Sequence, residues 1–377
     1  MSDMALLQEE KDNIVLFYPN IPEDTVSEVV DTLKSRWIGQ GPKVDRFEKE
    51  FAAKFTPGWN SVAVNAGTSA LHLSYIAAGI KPGDEVISPV FTCTATNIPL
   101  LHCGANIRFA DIDPETLNIS VESAKSIISD RTRAIVCVDY GGCLCHMAEL
   151  RALADQYGIP VIEDAAQSLG GSYHGRPVGT LADYTAFSFQ AIKHITTADG
   201  GMITLKSDEK EQLLKRLRWF GIDRFAKQNG IWQNDICEVG FKYQMTDISA
   251  AMGLAGLRSF DEKMALRQHY LAIYAERLSK VPGITVVGKE FIGKGHAAWL
   301  CTVLAENMEG LRAKLRENHI EANQVHFRND RYSIFGGRVN YCPNMDAVED
   351  HYLVLPLHTH LSEAQVMRVC EIIESGW

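Results

Sequence analysis

No apolar run in this 377-residue chain approaches the ~20 residues that a membrane-spanning helix needs. No membrane partner is expected. Positive charge is also in short supply: 37 Lys and Arg stand against 47 Asp and Glu, a net charge of -10. That balance argues against a general binder of nucleic acid or of anionic lipid surfaces. Residues 1–13, MSDMALLQEEKDN, are acidic and hold no signal-peptide core, so the expected compartment is the cytoplasm. There is no internal repeat and no low-complexity segment. The nine cysteines follow no disulfide framework, and an odd, scattered set reads as reduced thiols. Cys143-x-Cys145-His146, with Cys137 upstream, comes nearest to a metal cluster. Its spacing matches no common zinc pattern, and no second CxxC or HxxxH supports it. Small buried thiols are the better account, and no metal is expected.

What the chain does have is alternation. Strand patterns at residues 61–65, 84–89, 107–112, 134–138, 159–162, 184–189 and 202–205 are interleaved with helical ones such as 71–78 and 147–157. That is the signature of a mostly parallel α/β sheet. Helices are expected before it, at residues 21–37 and 44–55, and after it at 208–220, 244–257 and 261–280, with an irregular loop at 229–240. From residue 284 the pattern changes to strands at 284–287, 299–303 and 321–325 with helices at 310–318 and 362–373. The expected organisation is a large α/β domain over residues 14–257 and a smaller α+β domain over 258–377.

The chemistry-bearing residues lie at the ends of these strands. Lys193 follows the apolar strand at 184–189, in a loop rich in hydroxyls (Ser188, Thr196, Thr197) and closed by Gly200-Gly201. It reads either as a solvated loop lysine or as an amine nucleophile, which lysine becomes when burial lowers its pKa. Asp164 falls where the preceding strand should end, and ligands of open α/β sheets bind beyond such ends. A lysine to hold an aldehyde and a carboxylate to keep a pyridine nitrogen protonated are the pair that pyridoxal phosphate chemistry requires. Further upstream, the strand at 61–65 runs into Ala66-Gly67-Thr68-Ser69-Ala70 and then a helix. Free N–H groups at a helix start attract an anion such as phosphate, and the Thr68 and Ser69 hydroxyls could add donors. Ordinary N-capping by Thr68 or Ser69 is the competing account.

Several stretches, taken together and in order, carry a resemblance: WIGQGPKVDRFEKEFA, NAGTSALHL, GDEVISPVFTCTATN, FADIDPETLNI, PVIEDAAQSLGGSYHGRPVGTLADYTAFSF, IKHITTADGG and GFKYQMTDISAAMGLAGL. Over nearly its whole length the chain resembles the DegT/DnrJ/EryC1/StrS family of sugar aminotransferases. The resemblance implies a pyridoxal 5′-phosphate enzyme of transferase fold type I (the aspartate-aminotransferase fold), a homodimer with active sites at the subunit interface. It implies that Lys193 holds the cofactor, that Asp164 pairs with the pyridine nitrogen, and that Gln167 lies by the phenolic oxygen. Gly67, Thr68, Ser69 and Ser188 would bind the phosphate. Two positions depart from the family pattern. Cys93 stands where an aromatic residue often stacks on the cofactor ring. Lys242 stands where an Asn often reaches the neighbouring subunit's phosphate, and reads equally as a solvated lysine.

The implied reaction moves an amino group from glutamate to a nucleotide-linked keto-deoxysugar. One alternative is the family's dehydratase branch, in which a histidine replaces the lysine; here Lys193 occupies that position and His194 follows it. Another is a non-catalytic, cofactor-binding regulator, against which the Asp164–Lys193 pair argues, since a binder needs no electron sink. Substrate contacts are expected from the loop around Trp37-Ile38-Gly39 and from the segment holding His326, Arg328 and Arg331. The two arginines fit a diphosphate or are surface charges, and His326 is a substrate ligand or a packed strand-end histidine.

Overall fold

The computed structural model describes residues 13–233 and 235–377; the acidic stretch at residues 1–12 and Asn234 in the expected loop lie outside them. Seven strands form the main sheet: β1 (Asn60–Val64), β2 (Glu85–Pro89), β3 (Asn106–Ala110), β4 (Thr132–Val138), β5 (Val161–Asp164), β6 (Tyr184–Ser188) and β7 (Gly201–Leu205). Their order is β1-β7-β6-β5-β4-β2-β3. Only β7 runs against its neighbours; the β6-β5-β4-β2-β3 pairings are parallel. The carboxyl ends of β1, β2, β5 and β6 therefore gather on one edge of the sheet.

The strands are apolar on both faces because helices cover both. Val62, Val64, Ala134, Val136 and Ile162 pack with residues of the helices Gly67–Ala77, Thr94–His102 and Asp208–Leu217. The intervening residues Ala63, Ile135, Cys137 and Val161 pack instead with Phe47, Phe51, Leu150 and Leu254, from the helices Pro42–Phe55, Met147–Tyr157 and Asp247–Leu278. Alternation with period two sends successive side chains into two separate cores.

Two expectations need correction. The helices expected at 244–257 and 261–280 are one continuous helix, Asp247–Leu278, of 32 residues. Arg258-Ser259-Phe260 holds no Gly or Pro to break it. Its first half packs in the large-domain core and its last turns, through Tyr270, Tyr274 and Leu278, in the C-terminal core. The expected boundary at 257/258 thus falls inside a helix. The strand expected at 321–325 is a single bridge from Asn323 to Val354, which lies in the strand Tyr352–Leu355. Polar positions dominate the stretch: the Glu321 carboxylate turns back to accept from the Leu16 N–H at 2.9 Å.

The smaller sheet has β8 (Ile284–Val286), β9 (Cys301–Ala305) and β10 (Tyr352–Leu355), all antiparallel. Ser362 caps the closing helix Glu363–Glu374 in a capping box with Gln365. The C-terminal part is tied to the large sheet near the site. Phe327–Arg328 pairs with Phe91–Thr92. The buried Asn329 accepts from Asn97 at 2.9 Å and donates to the Thr92 carbonyl at 2.7 Å.

Candidate active site

At the carboxyl end of β1, the Gly67–Ala77 helix begins directly after Ala66, its N-cap, which makes no side-chain cap. Neither Thr68 nor Ser69 caps it: the Ser69 hydroxyl donates to Asn65 Oδ1 at 2.7 Å, and Thr68 is exposed. The first-turn N–H groups are left for an anion. Gly67 is required by a close approach. A Cβ there would meet Ser188 Cβ at 2.8 Å and its Oγ at 3.1 Å, so the helix start and the end of β6 form one tight cradle.

Asp164 ends β5 and is buried. Its Oδ2 accepts from Thr96 Oγ1 at 2.7 Å and its Oδ1 from the Ala166 N–H at 3.1 Å. Burial pushes its pKa up, while the Thr96 and Ala166 donors and the Lys193 charge hold it down. Lys193, in the loop after β6, is half-buried. Desolvation pulls its ammonium down to about 8, with Asp164 and Cys93 opposing. Its Nζ lies 3.8 Å from the centroid of the Trp299 ring. Cys93 precedes the Thr94–His102 helix, and burial raises its thiol pKa.

Gln167 and His326 meet on the same side. Gln167 Oε1 accepts from the Gly141 N–H at 2.7 Å, and its Nε2 lies 3.1 Å from His326 Nε2. His194, the neighbour of the lysine, is turned away: buried, its Nε2 lies 2.7 Å from the Ala297 carbonyl, to which it donates. No imidazole takes the lysine's place.

The structure thus brings together Gly67, Ser188, Asp164, Gln167, Lys193, Cys93 and His326. It does not bring in Arg328. Its guanidinium is buried and bound by Asp330 at 2.6 and 2.8 Å, by Glu349 at 2.7 Å and by Asp346. Arg328 is therefore neither a diphosphate contact nor a surface charge but an internal tie. Arg331 is exposed, with its guanidinium 4.7 Å from the Phe327 ring centroid and no carboxylate paired to it among the described residues. Lys242 is exposed, and its Nζ sits 3.6 Å from the Trp219 centroid. Cys137, Cys143 and Cys145 are buried thiols behind the sheet edge, and Cys145 Sγ lies 3.2 Å from the Val138 carbonyl.

Sequence reasoning missed Trp299, Thr96 and Arg267. Trp299 reads in sequence as core at the start of an expected strand. Arg267, buried in the long helix, donates to the carbonyls of Ala298 and Trp299 at 2.9 and 2.7 Å and so fixes the tryptophan. Thr96 lies in a stretch of hydroxyls, TCTAT, whose position just after β2 is the one signal available.

An amine of lowered pKa, a buried acid and an uncapped helix start at one sheet edge define a pyridoxal-phosphate-dependent transferase of fold type I. The donor set and the Gly67 cradle fit the cofactor: Lys193 would take its aldehyde, Asp164 would face its ring nitrogen, and Gly67–Ser69 with Ser188 would hold its phosphate. The chain belongs to the DegT/DnrJ/EryC1/StrS aminotransferase family, whose sequence profile matches residues 19–374. It is 32% identical to a GDP-perosamine synthase of Vibrio cholerae, over 96% of this chain and 98% of that one. It is also 32% identical to the UDP-4-amino-4-deoxy-L-arabinose–oxoglutarate aminotransferase of Shewanella sediminis, covering 94% of this chain and 96% of the other. Among solved structures, AtS13 from Actinomadura melliaura superimposes with a TM-score of 0.91 at 33% identity, covering 97% and 99% of the two chains.

Proposed function

We propose that the protein transfers the amino group of glutamate to a nucleotide-linked keto-deoxysugar, in amino-sugar biosynthesis. The observation that carries the reading is the meeting at one sheet edge of Lys193, the buried Asp164 and the uncapped helix start packed on Ser188. The names of the two relatives support the sugar-nucleotide half of it. Bound pyridoxal phosphate supplies an aldehyde that captures amines and a ring that accepts an electron pair.

The chain's own residues do the rest. With a pKa near 8, Lys193 presents about half of its amine in the neutral, nucleophilic form at that pH. When not joined to the cofactor, the Lys193 amine would take the proton from the donor's α-carbon, as base, and deliver it, as acid, to the carbon that carried the cofactor's aldehyde. Asp164, whose carboxylate accepts from Thr96 and the Ala166 N–H, would set its negative charge against the ring nitrogen. The uncapped helix start and Ser188 would hold the phosphate and so set the register of the rest of the cofactor. Among the described residues no three His, Cys, Asp or Glu side chains cluster as a metal site would need. Among those residues, too, no helix is long and apolar enough to cross a membrane.

The same reading makes the protein a homodimer with shared sites. Val26, Leu33 and Trp37 on and after the Thr25–Lys34 helix are exposed, as are Trp232 (75%) and Val239 (87%) in the 229–240 loop. Exposed apolar side chains of this kind are what a subunit interface would cover, which supports the reading. Across it, Lys242 would reach the partner's phosphate site once freed from Trp219.

The experiment is borohydride reduction of the cofactor-loaded protein, followed by peptide mapping and a turnover assay with glutamate and a panel of nucleotide-linked keto sugars. Label on Lys193 with amine transfer to a sugar is the expected result. Lys193→Ala should lose the absorbance of the lysine-bound cofactor and turnover together; transamination retained in that variant would refute the assignment.

A further inference from the structure

We infer that His326 is a positioning residue: a neutral imidazole whose Nε2 accepts from Gln167 and leaves the second Gln167 N–H for the bound cofactor. The inference rests on the cofactor site described above and replaces the expectation that His326 contacts substrate.

The argument is one of donors and acceptors. The Gly141 backbone N–H can only donate, so the group 2.7 Å from it must be the amide oxygen of Gln167. That fixes which way the amide points, which distance alone leaves open. Its nitrogen therefore faces His326 Nε2 at 3.1 Å. An amide nitrogen can only donate as well, so His326 Nε2 must carry no proton. The ring is then neutral, with its hydrogen on Nδ1. An imidazolium would set two donors against each other beside the Lys193 ammonium.

The surroundings hold the ring in this state. His326 stacks on Trp299 at 15° with centroids 6.4 Å apart, and Tyr140 meets it edge-on at 6.2 Å. The Tyr352 hydroxyl donates to its backbone carbonyl. Burial, with Lys193 adding to it, drives the His326 pKa down to about 3. Trp299 stacks in turn with Phe17 at 6.0 Å and carries the Lys193 Nζ on its face. One aromatic pair, Trp299 and His326, thus locates both the reactive amine and the Gln167 amide.

The test uses the cofactor-loaded enzyme. Nitrogen-15 NMR of histidine-labelled protein should show His326 as the Nδ1–H tautomer, unchanged between about pH 5.5 and 8. His326→Phe should move the titration midpoint of the bound cofactor's absorbance and lower kcat by roughly ten- to a hundredfold, with a smaller change in KM. His326→Asn, which keeps an acceptor, should restore part of both. Gln167→Leu should produce the same spectral shift, and the double variant with His326→Phe no more than either alone. An Nε2-protonated or titrating His326, an unmoved absorbance titration in folded His326→Phe, or additive effects in the double variant would overturn the inference. The tautomer can also be read in cofactor-free protein, so failure of borohydride labelling at Lys193 would sink the earlier reading without deciding this one.

Discussion

Thr96 Oγ1 donates to Asp164 Oδ2 at 2.7 Å, in a pocket where both side chains are buried. Burial alone would push the acid toward its neutral form, and this hydroxyl is the largest opposing contribution. A hydrogen bond to a charged group is worth about 1.5–3 kcal/mol. Thr96→Val keeps the volume and removes the donor, so the Asp164 pKa rises. The acid limb of the kcat/KM profile should move upward by roughly one pH unit or more. An unchanged acid limb would mean that Asp164 owes its charge to other groups.

Lys193 also sets a stability prediction with a definite sign. Its folded pKa, about 8, lies below the ordinary lysine value of 10.5. Below about pH 8 the amine is protonated in both states, and the folded state carries the whole burial penalty. As pH rises from 8 toward 10.5 the folded state releases its proton first, and the penalty fades. Lys193→Met should therefore stabilise the cofactor-free protein at pH 7. Discounted for the partial exposure of the side chain, the gain is about 1–3 kcal/mol. The gain should shrink above pH 8 in thermal melts run across that range.

Arg328 tests structure against substrate binding. Asp330, at 0% exposure, has this guanidinium as its ion-pair partner. Arg328→Met leaves that carboxylate buried and unpaired, at a cost of about 3–5 kcal/mol. Denaturant unfolding should show the loss. At temperatures where the variant stays folded, KM for the nucleotide sugar should be close to that of the parent. A large KM effect without a stability loss would return Arg328 to the substrate site.

The dimer proposal is checked by sedimentation. Leu33 (57%) and Trp232 (75%) are exposed in the single chain. Leu33→Asp with Trp232→Asp should shift the protein from dimer to monomer, because charges buried in an apolar contact are costly. Activity should fall with the loss of the partner. A parent protein that sediments as a monomer would remove the shared-site reading.

The sheet and its edge were legible because they depend on local signals. The turn at Ala66-Gly67-Thr68, the acid of Glu163-Asp164 and the lysine before Gly200-Gly201 are each set by a few neighbouring residues. Trp299 on Lys193 and Thr96 on Asp164 are contacts across 106 and 68 positions, and neither residue type is unusual where it stands. The long helix was misread for a different reason. Its apolar pattern changes face as it passes from one core to the other, and a change of face resembles an end.

That helix has a mechanical meaning. At its start, Asp247 accepts from the N–H groups of Gly41, Lys43 and Val44, at 2.8, 3.1 and 3.0 Å, beside the loop that holds Trp37. At its far end, Tyr274 and Leu278 are set in the C-terminal core. Thirty-two residues make a rod of about 48 Å, and tilting such a rod by about 5° carries its tip about 4 Å. The C-terminal body and the 37–41 loop are thus joined through one rigid rod, so a tilt of either would be carried to the other.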